Sequence, residues 1–114
     1  MEYASGVQLS LVFIETPVFT RQARGLLSDE NYRAPQFALS LRPEQGAVIS
    51  GGAGLRKVRW RLRGAGKRGG ARVIYYWDAD DTIFMLFIYR KSHQADLTTG
   101  QLRILAALVR EELK

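Results

Sequence analysis

The sequence predicts an α+β domain, in which a mostly antiparallel sheet of about four strands packs against two N-terminal helices and one C-terminal helix. Two helix-start signals follow a short apolar segment near the N-terminus, three strand-like segments occupy the second half, and an amphipathic helical pattern closes the chain. Helices that stand before and after a run of strands are typical of this class. A chain of 114 residues suffices for one domain, which we expect to cover residues 1–114.

The first third of the chain is predicted to contain one strand and two helices. Residues 8–14 are apolar and β-branched enough for a strand, and we expect residues 1–7 to be a disordered polar arm. Thr16 and Pro17 are typical of a helix N-cap and the first helical position, where the missing N–H of proline costs nothing.

A second helix is predicted to begin after the capping residue Ser28 and to end at Pro43. Pro35 lies in its interior, where a lost backbone hydrogen bond costs roughly 3 kcal/mol. We therefore expect a kink or a break near residues 31–35. Apolar residues at helical spacing give this helix its predicted apolar stripe, which consists of Ala34, Phe37, Ala38 and Leu41.

A cationic strand is predicted from Leu55 onward, because basic residues occupy every second position. One face would carry Lys57, Arg59, Arg61 and Arg63. The other face would carry Arg56, Val58, Trp60 and Leu62, so that Trp60 belongs to the core. Glycines predict a loop before this strand, at residues 45–54, and a turn after it, at residues 64–70.

Two further strands are predicted at residues 72–77 and 82–89, which are apolar on both faces and therefore central in the sheet. The acidic residues between them, Asp78, Asp80 and Asp81, could hold a divalent ion, but such residues are commonplace in hairpin turns, and we favour the turn.

The last helix has the clearest start signal, because Thr98 and Gln101 stand at capping-box spacing. Its predicted core stripe consists of Leu102, Leu105, Ala106, Val109 and Leu113. Ile104 and Leu108 lie off the stripe, where they would either widen the core face or form a patch for a partner protein.

The positive charge of the chain is local. Eight of the 17 basic residues lie within residues 55–72, which hold no acidic residue, whereas the other nine are outnumbered by 11 acidic residues. A patch of one sign attracts a polyanion, and nucleic acid is the commonest one. The patch extends through the turn with Lys67 and Arg68 to Arg72, which opens the next strand.

The composition excludes several kinds of site. The chain has no cysteine and one histidine, which rules out cysteine nucleophiles, thiolate zinc sites, disulfides and metal sites built on several imidazoles. Gly66 and Lys67 do not form a nucleotide-binding loop, because Arg68 takes the Ser/Thr position and a strand follows. Without a signal-peptide pattern or a long apolar run, we expect a soluble cytoplasmic protein.

Phosphoryl transfer is the chemistry that this patch could perform. Fixed guanidinium groups stabilise a phosphorane-like transition state, and a lysine crowded by other cations could accept a proton from a ribose 2′-OH. Tyr89, at the end of the last strand, could stack on an RNA base, and His93 could transfer a proton or be a surface residue. Arg61, Arg63 and Lys67 fit backbone contacts or solvated charges better than catalysis.

The second half of the chain resembles the HigB branch of the RelE/ParE toxin superfamily of bacterial toxin–antitoxin modules. The resemblance rests on LRK at residues 55–57, on GKRGG-x-R-V-I-Y-Y at residues 66–76, and on IY-x-K followed by a D-L-T helix start. It extends more weakly upstream through the LSDENYR helix.

The resemblance implies a metal-free, ribosome-dependent endonuclease that cuts translated mRNA in the A site by attack of the 2′-OH on the adjacent phosphate. It also implies neutralisation by a helix-turn-helix antitoxin, and binding of operator DNA only through that antitoxin. The alternative is a non-catalytic toxin or binding module of the same fold, such as a ParE-like gyrase inhibitor or a basic RNA-binding domain.

The candidate site residues fall into two groups. The catalytic candidates, of which the resemblance implies the first three and the fifth, are Lys57, Arg59, Arg72, Arg90, Lys91 and His93. The RNA-binding candidates are Arg61, Arg63, Lys67, Arg68 and Tyr89. Some RelE members carry a catalytic tyrosine where this chain has residues 95–97, so Tyr89, His93 or Lys57 would handle the proton here.

Overall fold

The structure, a computed structural model, describes residues 11–62, 70–79 and 81–114. Across the described residues the strands form one sheet in the order β1-β5-β4-β3-β2, with β1 parallel to β5 and every other pair antiparallel. The elements in chain order are β1 (Val12–Glu15), α1 (Pro17–Leu26), α2 (Asp29–Leu41), β2 (Ala47–Val48), β3 (Arg56–Trp60), β4 (Ala71–Asp78), β5 (Thr82–Arg90) and α3 (Thr99–Leu108), whose continuation Val109–Leu113 is wound as a π-helix. The predicted α+β class and mostly antiparallel sheet are confirmed, with one strand more than expected.

The sheet is covered on both faces. On one face, Phe19 of α1 and Leu39 of α2 pack on strand residues such as Val73. On the other, Leu105 of α3 packs on residues such as Ile74. Successive residues of β4 therefore enter opposite cores, which confirms the prediction that β4 and β5 are central strands and explains why they are apolar on both faces.

Helix α1 is attached to the sheet through its cap. The Oγ1 atom of Thr16 accepts a hydrogen bond from the Phe19 N–H at 3.0 Å and donates one to the Leu86 carbonyl at 2.9 Å. The same hydroxyl thus satisfies an orphan donor of the helix and anchors the helix start to β5.

Helix α2 differs from its prediction in two respects. It runs without a break through Pro35, so of the expected kink or break the break is wrong and the kink stays a prediction. A proline removes only one backbone bond, and the cap at Ser28 and the burial of Leu39 stabilise the helix on either side of it. The predicted stripe also points outward, because Phe37 is 60% exposed and Leu41 55%. The core takes Tyr32 and Leu39 instead, since the Tyr32 hydroxyl donates to Glu15 and its ring packs between Phe19 and Trp60.

Strand β2 was not expected in the glycine-rich segment before β3. It forms because this segment folds back on β3, where Ala47 pairs with Lys57 and Val48 with Arg56. The fold-back is fixed by Tyr75, whose hydroxyl donates to the Pro43 carbonyl at 2.7 Å and accepts from the Gly46 N–H at 2.9 Å. A Cβ atom at Gly46 would stand 2.8 Å from the Tyr75 ring, so only glycine fits there.

A β-bulge interrupts the pairing of β4 with β5. Ile74 pairs with Phe87 and the next residue, Tyr75, pairs with Met85, which leaves Leu86 as the extra residue. Leu86 and Phe87 consequently both face the α3 core. Without the bulge, side chains in one half of β5 would point to the opposite face of the sheet. Its large side chains would then face the wrong core.

Helix α3 begins as predicted, because both capping-box bonds between Thr98 and Gln101 are present at 3.0 Å. The predicted core stripe lies in the α3 core. Leu108 also packs there, whereas Ile104 is 70% exposed, so only Leu108 widens the core face.

The predicted arm at residues 1–7 and most of the predicted first strand lie outside the described residues, whose first strand is β1. Among the residues described, no helix has the length and apolar character needed to cross a membrane.

Replacing Tyr75 with phenylalanine tests the fold-back of the glycine-rich segment. The change leaves the Gly46 N–H without its partner in the core, so we expect the free energy of unfolding to fall by about 1–3 kcal/mol, measured by urea denaturation. Tyr76→Phe is the matched control, because among the described residues the Tyr76 hydroxyl has no hydrogen bond. Equal losses in the two variants would contradict this role of Tyr75.

Candidate nucleic-acid interface

A row of three residues crosses the centre of the sheet on the α3 face. Arg59 of β3 pairs with Arg72 of β4, and Arg72 pairs with Tyr89 of β5. Lys57 lies two residues from Arg59 and therefore on the same face. The register thus gathers Lys57, Arg59 and Arg72 on adjoining positions of one surface, as the alternation of the sequence predicted for the first two.

Arg72 is the central member of this row. Its side chain is 7% exposed, and it is the one charged residue among the buried residues of the described chain. No hydrogen bond or ion pair joins it to another described residue. A guanidinium has five N–H donors and stays charged, so Arg72 presents unused donors at the centre of the surface.

Asp96 pairs with Lys57. The Lys57 Nζ atom donates a hydrogen bond to the Asp96 Oδ1 atom at 2.8 Å. This bond and the lysine charge lower the pKa of Asp96, and the charge of Arg72 lowers it further. Asp96 therefore interacts electrostatically with both cations.

The loop that carries Asp96 is held by local bonds. Gln94 Nε2 donates to the Asp96 carbonyl and to Gln101 Oε1, both at 2.9 Å, which joins the loop to the capping box of α3. Sequence reasoning missed Asp96 as a site residue. The available signal was its place as the first residue of the D-L-T helix start, in the segment where the resemblance expected a tyrosine.

Tyr89, the third residue of the row, is buried. It is 5% exposed, and its ring packs against Phe87 with 6.0 Å between centroids. An enclosed ring has no free face for a base, so the structure contradicts the interpretation that Tyr89 stacks on RNA. Its hydroxyl is buried and has no hydrogen-bond partner among the described residues. Burial raises the pKa of Tyr89, and the Asp96 charge adds to this while the Arg72 charge opposes it.

The basic residues after β5 are not gathered with this row. Arg90 pairs with Ala71, which pairs with Trp60, and both of these belong to the α1 core, so Arg90 lies on the opposite face from Arg72. There it lines a groove of about 440 Å³ together with Arg21. The structure separates Arg90 from Lys57, Arg59 and Arg72, because adjacent residues of a strand point to opposite faces, whereas His93 lines the same groove as Arg90.

Lys91 and His93 follow β5 and are exposed. The Lys91 N–H donates to the Gly70 carbonyl at 3.0 Å, and the His93 N–H donates to the Arg90 carbonyl at the same distance. These bonds use the backbone and leave both side chains open to a ligand.

The remaining candidates are peripheral or outside the described residues. Arg61 is exposed beyond the end of β3, whereas Arg63, Lys67 and Arg68 lie in the segment that the structure does not describe. Arg56 has a structural role, since its Nη1 atom donates to the carbonyls of Glu44 and Gly46.

The acidic segment after β4 forms the predicted hairpin connection to β5, in which the Asp81 N–H donates to the Asp78 carbonyl at 3.1 Å. Asp80 lies outside the described residues. Within those that are described, no three His, Asp or Glu side chains group as metal ligands.

The geometry suits an anion with several oxygens. One ammonium and two guanidinium groups share the surface, and such groups bind a phosphate through short, charge-assisted hydrogen bonds. Because the sheet fixes their spacing, they would also stabilise negative charge that develops on a bound group without having to reorganise.

Lys57→Gln tests the electrostatics of the pair. Because a cationic partner lowers the pKa of Asp96 below its ordinary value of 3.8, the variant should show a higher pKa, read from the carboxyl carbon by NMR titration. In the native protein the pair favours folding above that ordinary value, and this contribution is lost as the pH falls through the lowered pKa. Arg61→Gln removes a cation that makes no bond to Asp96 and should leave the titration unchanged. An unaltered pKa in Lys57→Gln would contradict the pairing.

A comparison with known families gives a match over residues 14–113, from β1 to the end of the C-terminal helix. The matching family is described as the RelE toxin of the RelE / RelB toxin-antitoxin system. The match covers most of the chain and the whole row on the α3 face. The chain therefore belongs to the RelE toxin family, whose toxins have an antitoxin as partner.

Proposed function

We propose that this RelE-family toxin is a ribosome-dependent mRNA endonuclease of the HigB branch, which cuts translated message in the ribosomal A site. The observation that carries the proposal is the fixed row of Arg59 and Arg72 with Lys57 beside it, on one face of the sheet. Its place of action is the cytoplasm, where it meets mRNA on the 70S ribosome. A HigA-like helix-turn-helix antitoxin neutralises it and provides the contact with operator DNA.

The reaction is attack of a ribose 2′-oxygen on the adjacent phosphorus. The 2′-O–P bond forms as the P–O5′ bond breaks, the 2′-hydroxyl loses its proton, and the departing O5′ takes one up. The products are a 2′,3′-cyclic phosphate and a 5′-hydroxyl. The phosphorane-like transition state carries more negative charge than the ground state, so cations held close to it lower the barrier.

Arg72 and Arg59 are assigned to the stabilisation of this charge. Arg72 has low exposure and unused donors, and electrostatic interactions are stronger where water is partly excluded. Arg59 is exposed beside it and completes the row. Lys57 donates a hydrogen bond to the Asp96 carboxylate, and the same Nζ group can donate to a phosphate oxygen.

The proton transfers are assigned to Tyr89 and His93. Since burial raises the pKa of Tyr89, its hydroxyl keeps its proton and suits a donor rather than a base. His93 is exposed directly after β5, so it stays the candidate for accepting the 2′-OH proton. Lys91 is assigned to contact with the RNA backbone.

Arg72→Gln tests the assignment of the transition-state charge. In a translating cell-free reaction, with 5′ ends mapped on the message, we expect cleavage to fall by about 100-fold or more, because one fixed charge donor is lost. Arg72→Lys keeps the charge without the planar fork and should retain part of the activity. A thermal melt of each variant shows whether the fold survives.

Arg33→Gln provides the charge-matched control, because Arg33 is an exposed residue of α2, outside the row. It should cut as the native protein does. Undiminished cleavage by Arg72→Gln would contradict the proposed site. An intact message and unchanged protein output with the native chain would instead favour a non-catalytic binding module of the same fold.

A further inference from the structure

A negatively charged side chain of the protein itself is bonded to this cationic surface. The Asp96 carboxylate is bonded to Lys57, and Arg72 is near enough for its charge to act on the same carboxylate. A carboxylate and a phosphate both present oxygens that accept hydrogen bonds from ammonium and guanidinium groups. Asp96 therefore makes, from within the chain, the kind of contact that a phosphate would make at this surface.

Tyr89 supplies a second, independent observation. Its hydroxyl is buried and lacks a hydrogen-bond partner among the described residues. Buried polar groups are nearly always paired, and one that is not requires an explanation, because a donor removed from water without a partner is costly. Tyr89 pairs with Arg72 across the sheet, so the unused donor lies beside Arg72, on the face that carries the ion pair of Lys57 and Asp96.

We propose that the Asp96 carboxylate occupies the position of the substrate phosphate, and that an RNA phosphate displaces it from Lys57 and gains Arg72 and the Tyr89 hydroxyl as further donors. The inference rests on the proposed function, since it names RNA phosphate as the displacing group. It makes Asp96 a positioning residue, which acts through Lys57 and takes no part in bond breaking.

The displacement requires little movement. The Asp96 side chain is 72% exposed, whereas the backbone around it is held by Gln94 and by the capping box of α3. A rotation of this side chain into solvent would free Lys57 while the loop stays in place. Exposed ion pairs are weak, so a phosphate can replace this one readily.

The exchange also gives the site a preference for a presented substrate. An RNA that meets the toxin in solution must compete with a carboxylate that is always beside Lys57, as an intramolecular group at high effective concentration. A phosphate that the ribosome holds against the same surface is likewise at high effective concentration. Asp96 would therefore suppress binding of free RNA more than binding of message in the A site.

The experiment measures binding without cleavage. The probe is a labelled trinucleotide with 2′-O-methyl riboses, which lacks the attacking hydroxyl, and the readout is fluorescence anisotropy. Asp96→Asn removes the competing charge and should bind the probe roughly two- to fivefold more tightly than the native protein, the range set by an exposed ion pair. Glu111→Gln changes the net charge equally at an exposed position of the C-terminal π-helical segment, and should bind as the native protein does.

A second readout separates displacement from a purely structural role. In the native protein, saturation with the probe should raise the pKa of Asp96, followed by NMR at its carboxyl carbon, because Lys57 turns to the phosphate and the phosphate adds negative charge nearby. A loop residue that only supports the fold would titrate alike in the free and bound protein.

Three results would overturn the inference: equal or weaker binding by Asp96→Asn, an unchanged pKa on saturation, or no binding by either protein. None of them depends on cleavage. If Asp96→Asn binds more tightly while the native protein leaves translated message intact, the nuclease proposal fails and the displacement stands. If translated message is cut and Asp96→Asn binds no better, the displacement alone fails.

Discussion

A guanidinium group in the central strand of a sheet is the constraint on which the rest of this structure depends. A charge with so little exposure is stable only where polar groups or other charges surround it, because desolvation penalises an isolated ion. The structure meets this requirement at the N-terminal end of β4, where the strand enters the α3 core and the Asp96 carboxylate supplies an opposite charge. Arg72 thus lies at the boundary between the apolar interior and the charged surface, with Arg59 on one side and Tyr89 on the other.

The two cores on either side of the sheet make this boundary possible. Because β4 is covered on both faces, its pairing with β3 and β5 is fixed along its length, and the pairing fixes which side chains adjoin Arg72. A slip of one residue would move Arg72 to the α1 face and bring an apolar side chain to the surface in its place. The bulge at Leu86 lets Phe84, before it, and Tyr89, after it, share the α3 face. The apolar residues therefore fix the positions of the cations to which we assign the chemistry.

Features that rest on local rules could be predicted from the sequence. The alternation of β3, the caps at Thr16, Ser28 and Thr98, and the stripe of α3 each depend on residues close together in the chain, and the structure has them. Long-range contacts could not be predicted in the same way. Helix α2 turned its predicted stripe outward because Tyr32 reaches Glu15, 17 positions away.

At the site, too, the features set by local spacing were predictable and the long-range contacts were not. Lys57 and Arg59 were placed correctly on one face by their spacing, whereas Asp96, 39 positions from Lys57, carried no pattern that links it to β3. Arg90 and Lys91 adjoin in sequence and were grouped for that reason, although strand geometry sends Arg90 to the α1 face. The resemblance identified the basic residues of the motif. The pairing of the strands determines which of these residues lie on one face, where they can contact the same ligand.

The central claim is that a single face around Arg72 binds an RNA phosphate, and side-chain NMR tests it most directly. The measurement follows the side-chain nitrogen resonances of the arginines and lysines while an uncleavable RNA is added. The account predicts that the largest shifts fall on Lys57, Arg59 and Arg72, and that Arg56, which is bonded to backbone carbonyls on the other face, stays unchanged. Shifts concentrated at Arg90 and Arg21, with Arg72 unmoved, would contradict the account and place the RNA in the groove that Arg90 and Arg21 line.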